Sequence, residues 1–146
     1  MKGADGVANS IRSGGTTRRA AKMVILNADH PDLKNFVYCK KIIEDMTKAL
    51  QQAGIKDSIA ADIFDPYTLL PYQNANNSVR ASDEFMQAVL TDGYWDLKSV
   101  TSGETIERKK AREIMAWIAD AAWHSADPGL QYDTTINDWH TCPNTG

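Results

Sequence analysis

Cysteine is scarce in this 146-residue chain: Cys39 and Cys142 are its only two, and they stand far apart. They do not have the close spacing of a disulfide framework or a zinc ribbon, so each reads as a reduced thiol. Long hydrophobic runs are missing as well. No apolar stretch approaches the roughly 20 residues that a membrane helix needs, and Met1-Lys2-Gly3-Ala4-Asp5-Gly6 lacks the apolar core of a secretory signal. A cytoplasmic location without membrane contact is the expectation. The chain also lacks a large excess of charge of either sign, being −3 from 16 Lys and Arg against 19 Asp and Glu. Its length and composition fit one globular domain with a hydrophobic core.

The charge is unevenly spread. Residues 1–22 carry Lys2, Arg12, Arg18, Arg19 and Lys22 against Asp5 alone, a net +4, which leaves −7 for the remainder. A short basic segment on an acidic chain suggests a local site for a small anion. DNA or RNA binding, which usually needs a broad positive face, is not expected.

Residues 1–19, rich in Gly and small polar side chains, read as a loop. Met23-Val24-Ile25-Leu26 is a continuous branched apolar run, the pattern of a strand buried on both faces of a parallel sheet. Asp29 is placed to cap a helix with Pro31 in its first turn. Apolar residues at Leu33, Phe36, Val37, Ile43, Met46 and Leu50 predict a long amphipathic helix that stops at Gly54. Between Ile55 and Gln73, Asp65-Pro66 and Leu70-Pro71 break any long element, leaving an irregular connection with room for a short helix near Ile59 to Ile63.

Asn76 to Arg80 predicts a short strand, and Ser82 caps a helix through Phe85, Met86, Val89 and Leu90 that ends at Gly93. Thr101-Ser102-Gly103 predicts the turn of a hairpin joining Leu97–Val100 to Glu104–Glu107. Ala111, Ile114, Met115, Ile118 and Ala122 mark one face of a final helix, and Leu130-Gln131-Tyr132 a further strand. After Asp133 the chain is polar and turn-rich. The order strand, helix, strand, helix, hairpin, helix, strand predicts an α/β fold with crossover helices on a mainly parallel sheet.

Ser13-Gly14-Gly15-Thr16-Thr17-Arg18-Arg19 is the most suggestive stretch chemically. Glycines let backbone N–H groups approach an anion, hydroxyls add donors, and guanidiniums grip phosphate or stack on a base. It lacks the phosphate-loop pattern and precedes a strand where that loop precedes a helix, so a solvated loop stays open as the other reading. His140-Thr141-Cys142 puts two metal donors close together, but tetrahedral zinc needs three or four, and no metal site is expected from His30, His124, His140 and Cys142. Trp95, Trp117, Trp123 and Trp139 read as core or boundary residues. Asp127, Asp133 and Asp138 lie in a polar stretch at a strand end, where functional loops of open α/β sheets gather, although Asp127-Pro128-Gly129 is also an adequate turn.

The wording of several segments is familiar. Ile11 to Met23, Asp29-His30-Pro31-Asp32-Leu33, Asn76 to Arg80, Ser82 to Met86, Ala121-Ala122-Trp123 and Asp127 to Tyr132 resemble stretches of cobalamin-dependent (class II) ribonucleotide reductases. So does Thr134-Thr135-Ile136-Asn137-Asp138-Trp139-His140-Thr141-Cys142-Pro143, which carries the strongest likeness. These segments are collinear and cover nearly the whole chain, with least likeness from Cys39 to Pro71.

The resemblance implies part of a ten-stranded α/β barrel, namely the later part of its first half, with residues 1–22 as a specificity-type loop and 23–146 as barrel strands and helices. Gly14, Gly15, Thr16, Thr17, Arg18 and Arg19 would form the loop between a deoxynucleotide effector site and the ribonucleotide substrate site. It implies adenosylcobalamin as cofactor of the full-length enzyme, a thiol reductant such as thioredoxin, thiyl-radical chemistry, and room for a homodimer. The family's radical motif, Asn-Pro-Cys-Ser-Glu, is not in this sequence. Cys142 is not the radical cysteine, and the chain alone is expected to be inactive. Two alternatives stay open: a cobalamin-independent reductase, and a non-catalytic nucleotide-binding module that uses the basic loop alone.

Overall fold

The computed structural model describes residues 2–13, 18–19, 22–53, 72 and 74–145. In chain order the elements are α1 (Lys2–Ser10), β1 (Arg12–Ser13), β2 (Arg18–Arg19), β3 (Lys22–Asn27), α2 (Leu33–Gln52), β4 (Ala75–Ala81), α3 (Asp83–Leu90), β5 (Tyr94–Lys98), β6 (Thr105–Lys110), α4 (Ala111–Ser125), β7 (Gly129–Tyr132) and α5 (Asp133–Asp138), with a 3₁₀ turn at Pro143–Thr145. From β3 to β7 the order is the one expected from the sequence. The predicted short helix near Ile59 to Ile63 lies outside the described residues.

The chain divides into two compact units, Met1–Val24 with Cys39–Asn76, and Ile25–Tyr38 with Asn77–Gly146. In the first, Asp5 and Ala8 of α1, Ile43 and Thr47 of α2, and Ala75 are buried. Thr47 is accommodated there because its hydroxyl donates to the Ile43 carbonyl at 2.9 Å, one turn back in its own helix. The expectation of a loop over residues 1–19 is therefore corrected. Lys2–Ser10 is helical, and Arg12–Ser13 pairs antiparallel with Arg18–Arg19. Glycine and small polar residues lower helix propensity but do not forbid a helix that has tertiary partners.

In the second unit, Leu33, Phe36 and Val37 from the start of α2 are buried, as are Val79, Ala81, Phe85, Leu97, Ala111, Ile114, Trp117, Ile118 and Ala121. Helix α3 packs on α4 and on β5. β4 and β7 pair in parallel, Ser78 opposite Gly129 through Ala81 opposite Tyr132, within a sheet of order β3-β4-β7. Gly129 matters at that pairing, since a Cβ there would meet the Ser78 hydroxyl at 3.3 Å. β5 and β6 form the predicted hairpin, longer at its open end, where Tyr94 pairs with Lys110, and shorter at the turn, where pairing stops at Lys98 and Thr105; Gly103 takes the positive φ of 73° that the turn demands.

Several local expectations change. β3 is not buried on both faces: Met23 is 57% and Ile25 38% exposed, alternating with half-buried neighbours. A continuous apolar run signals two-sided burial only where both faces have a covering layer, and among the described residues the face of β3 that carries Met23 and Ile25 lacks one. Asp29 does not cap α2. The Asp29–Asp32 stretch is a turn, with the Asp32 N–H donating to His30 Nδ1 at 3.0 Å and the helix starting at Leu33.

Helix α3 ends in a Schellman arrangement: the Gly93 N–H reaches the Ala88 carbonyl at 2.7 Å, and Asp92, not the glycine, takes the left-handed φ of 53°. Arg112 donates to the freed carbonyls of Val89 and Leu90, both at 2.8 Å. Of the tryptophans, Trp117 is buried, but Trp123 and Trp139 are 88% and 83% exposed. Trp123 follows Trp117 by six residues, about one and two-thirds helical turns, which turns it off the packed face. After Asp133 the chain is not featureless, because α5 continues directly from β7.

Candidate functional site

The carboxyl ends of β3, β4 and β7 frame a cleft of about 240 Å³ lined by Asn27, Ala28, Asp29, Arg80, Ser82, Trp95, Lys98 and Asp133. Its walls are tied by backbone geometry. The Ala28 N–H donates to the Arg80 carbonyl at 2.9 Å, and the Lys98 N–H donates to the Asp29 carbonyl at 2.7 Å. The Trp95 indole N–H donates to the Ala28 carbonyl at 3.2 Å, while its ring meets Phe85 edge-on at 5.2 Å between centroids. A buried Phe thereby sets the position of a polar handle in the cleft wall.

Two cations and two carboxylates face this space. Arg80 Nε lies 3.4 Å from Asp133 Oδ1, and both side chains are partly exposed, so the pair contributes at most about 1 kcal/mol to stability. Guanidinium and ammonium groups beside carboxylates and a hydroxyl offer both donors and acceptors to a polar ligand. In open α/β sheets such a position, outside the carboxyl ends of the strands, is where ligands bind.

Ser82 connects the cleft to α3. Its hydroxyl oxygen accepts from the Phe85 N–H at 3.3 Å as the N-cap. The same hydroxyl and the Glu84 backbone N–H hydrogen-bond the Glu84 carboxylate and hold its pKa below the ordinary 4.5. A carboxyl depressed in the folded state adds stability above its unfolded pKa and loses it as pH falls through the folded value. Ser82→Ala is expected to cost about 1 kcal/mol through loss of the cap. It should also return the Glu84 titration toward its ordinary range, and carboxyl NMR titration with denaturant unfolding at neutral pH checks both.

Of the residues singled out from sequence, Asp133 lies in this cleft, whereas Asp127 and Asp138 do not line it. Gly14, Gly15, Thr16 and Thr17 lie outside the described residues. Arg18 and Arg19 form β2, with Ser13 and Arg12 as their opposite numbers. Among the described residues no three His, Cys, Asp or Glu side chains gather as a metal site. Asn27, Arg80, Ser82, Trp95 and Lys98 were not anticipated as site residues. The signal was available, because the predicted strands ending near Leu26, Arg80 and Tyr132 put Asn27–Asp29, Ser82 and Asp133 at one sheet edge.

A parallel sheet with crossover helices and a polar cleft at its carboxyl edge defines an α/β protein of the kind that places its ligands at strand ends. Comparison with known proteins identifies which kind. A family model described as the ribonucleotide reductase barrel domain matches residues 1–146, and the chain belongs to that family. The chain is 51% identical over all its 146 residues to a vitamin B12-dependent ribonucleotide reductase of Streptomyces avermitilis. It is 42% identical over 148 aligned positions to the protein of that name in Rhodopirellula baltica. It is 34% identical over 146 residues to a vitamin B12-dependent ribonucleoside-diphosphate reductase of Thermoplasma acidophilum. In each comparison the whole chain is covered, but it spans only 15%, 14% and 16% of these relatives' lengths.

Proposed function

We propose that this chain is a barrel-domain segment of a B12-dependent ribonucleotide reductase, from the later part of the first half-barrel, and that it contributes substrate and effector recognition to radical reduction of ribonucleotides. The observation that carries this reading is the 51% identity along the full 146 residues to a protein so named. The parallel β4–β7 pair and the crossover helices support the half-barrel assignment, since parallel strands joined by helices are what such a barrel repeats. Cobalamin dependence is favoured over a cobalamin-independent reductase by the names of the relatives, B12-dependent in each comparison above.

When bound, adenosylcobalamin supplies the radical that starts the reaction. The clefts at the strand ends and along the β5–β6 hairpin are open and hold about 240 to 390 Å³. They are too small to enclose a corrin. What the chain's own residues offer is recognition. Arg80, Lys98, Ser82 and Asp133 present donors and acceptors suited to a phosphorylated, hydroxyl-rich ligand. Gly14, Gly15, Thr16, Thr17, Arg18 and Arg19 act as the specificity loop, whose hydroxyls and guanidiniums are the groups a bound deoxynucleotide engages.

In the full-length reductase carrying this segment, Arg18→Ala and Arg19→Ala are each expected to weaken effector-dependent selectivity among ribonucleotides. The loss should be about 5-fold or more, in line with ordinary coupling between sites. Competition assays between two substrates with and without each deoxynucleotide measure it. Unchanged selectivity in both variants would remove the loop from the effector pathway.

A further inference from the structure

Asp5 is a carboxylate only 5% exposed, on a helix to which the functional reading above gives no role. Its Oδ2 accepts the Tyr72 N–H at 2.6 Å, its Oδ1 accepts the Asn74 N–H at 3.2 Å, and Lys22 Nζ lies 3.7 Å from Oδ1. The Lys22 N–H in turn donates to the Asn74 carbonyl at 2.9 Å. All these residues belong to the Met1–Val24 and Cys39–Asn76 unit.

Their places along the chain give the arrangement its meaning. Asp5 stands on α1, which runs into the β1–β2 hairpin, while Lys22 is the first residue of β3, which leaves it. Tyr72 and Asn74 form the approach to β4. One buried carboxylate therefore joins the segment before the hairpin, the segment after it and the strand approach beside it. A buried charge persists only when paired and hydrogen-bonded, and removing one partner is costly because the others are left unsatisfied. The joint is thus a stiff point at the base of the basic hairpin.

We propose that Asp5 is a positioning residue for effector control: by joining the segments on both sides of the β1–β2 pair, it fixes the base from which Arg18 and Arg19 are presented. This rests on the specificity-loop reading of Gly14 to Arg19. Coupling between two ligands needs a segment with discrete alternatives, and a loose base would blur them into a continuum.

Asp5→Asn tests the clamp, because an amide presents one oxygen and one NH₂ to two backbone N–H donors and carries no charge for Lys22. In the full-length reductase, effector-driven change in substrate selectivity should fall to less than about a third of its normal fold-change, while effector-free turnover stays within about twofold. Lys22→Met, which keeps both backbone hydrogen bonds, should show a smaller loss and serves if Asp5→Asn fails to fold. Ser10→Ala, at an exposed hydroxyl that donates back to the Val7 carbonyl within α1, should change neither quantity. Retained selectivity in Asp5→Asn, or in Lys22→Met where the former does not fold, overturns the proposal, as does an equal fall in effector-free and effector-bound turnover. Should Arg18→Ala and Arg19→Ala leave selectivity intact, the specificity-loop reading itself fails, whatever Asp5→Asn does.

Discussion

The 146-residue polypeptide on its own is expected to reduce no ribonucleotide when supplied with adenosylcobalamin and a dithiol, whereas a full-length protein carrying the segment turns over. Replacing a ribose 2′ hydroxyl with hydrogen takes two electrons, which a pair of thiols provides on closing to a disulfide. A radical must also be delivered to the sugar. The chain has two cysteines: Cys39 is half-buried on α2, and Cys142 is exposed beside the terminal 3₁₀ turn. Neither lies in an Asn-Pro-Cys-Ser-Glu motif, and the matched relatives extend to more than six times the aligned length. Product formation followed by chromatography decides the matter. Deoxynucleotide accumulating in step with added chain, and not with a contaminating reductase, would refute the segment reading.

Phe85→Ala should produce the largest loss of stability. The ring is fully buried on α3, a helix packed on α4 and on β5, and it makes the edge contact that seats Trp95. Truncating a buried Phe typically costs about 3–5 kcal/mol, from lost transfer energy and the cavity left behind. Amide hydrogen exchange in α3 and α4 should accelerate by about a hundredfold or more, since each 1.4 kcal/mol is a factor of ten. The effect should reach the cleft, because the Trp95 N–H would no longer be held against the Ala28 carbonyl. Protection unchanged in both helices would mean that the cavity is filled by repacking and that Phe85 does not organise this core.

Much of the architecture was legible before any coordinates. Ser82 was recognisable as a cap because a hydroxyl stands directly before an apolar repeat, and its oxygen does accept the Phe85 N–H. Thr101-Ser102-Gly103 marked its hairpin because glycine takes the positive φ there at no steric cost. Failures followed a different rule. Lys2–Ser10 is a helix despite weak propensity, since Ala8 is buried and Asp5 accepts hydrogen bonds from Tyr72 and Asn74, distant in sequence. Trp123 and Trp139 were placed in the core on residue type, but type does not reveal whether a given turn of helix has anything to pack on.

The same division holds for the site. Family membership was readable from collinear wording because those residues are contiguous, and Asp133 was flagged because it directly follows a strand. Sequence by itself thus determined the element order from β3 to β7, the Ser82 cap, the Gly103 turn and the family, all of which depend on neighbours a few residues apart. Only tertiary structure decided that Asn27, Arg80, Lys98 and Asp133 share one cleft and that Asp5 meets Lys22 and Asn74. Those meetings depend on strand order and register, which are set by burial of whole faces across long sequence separations.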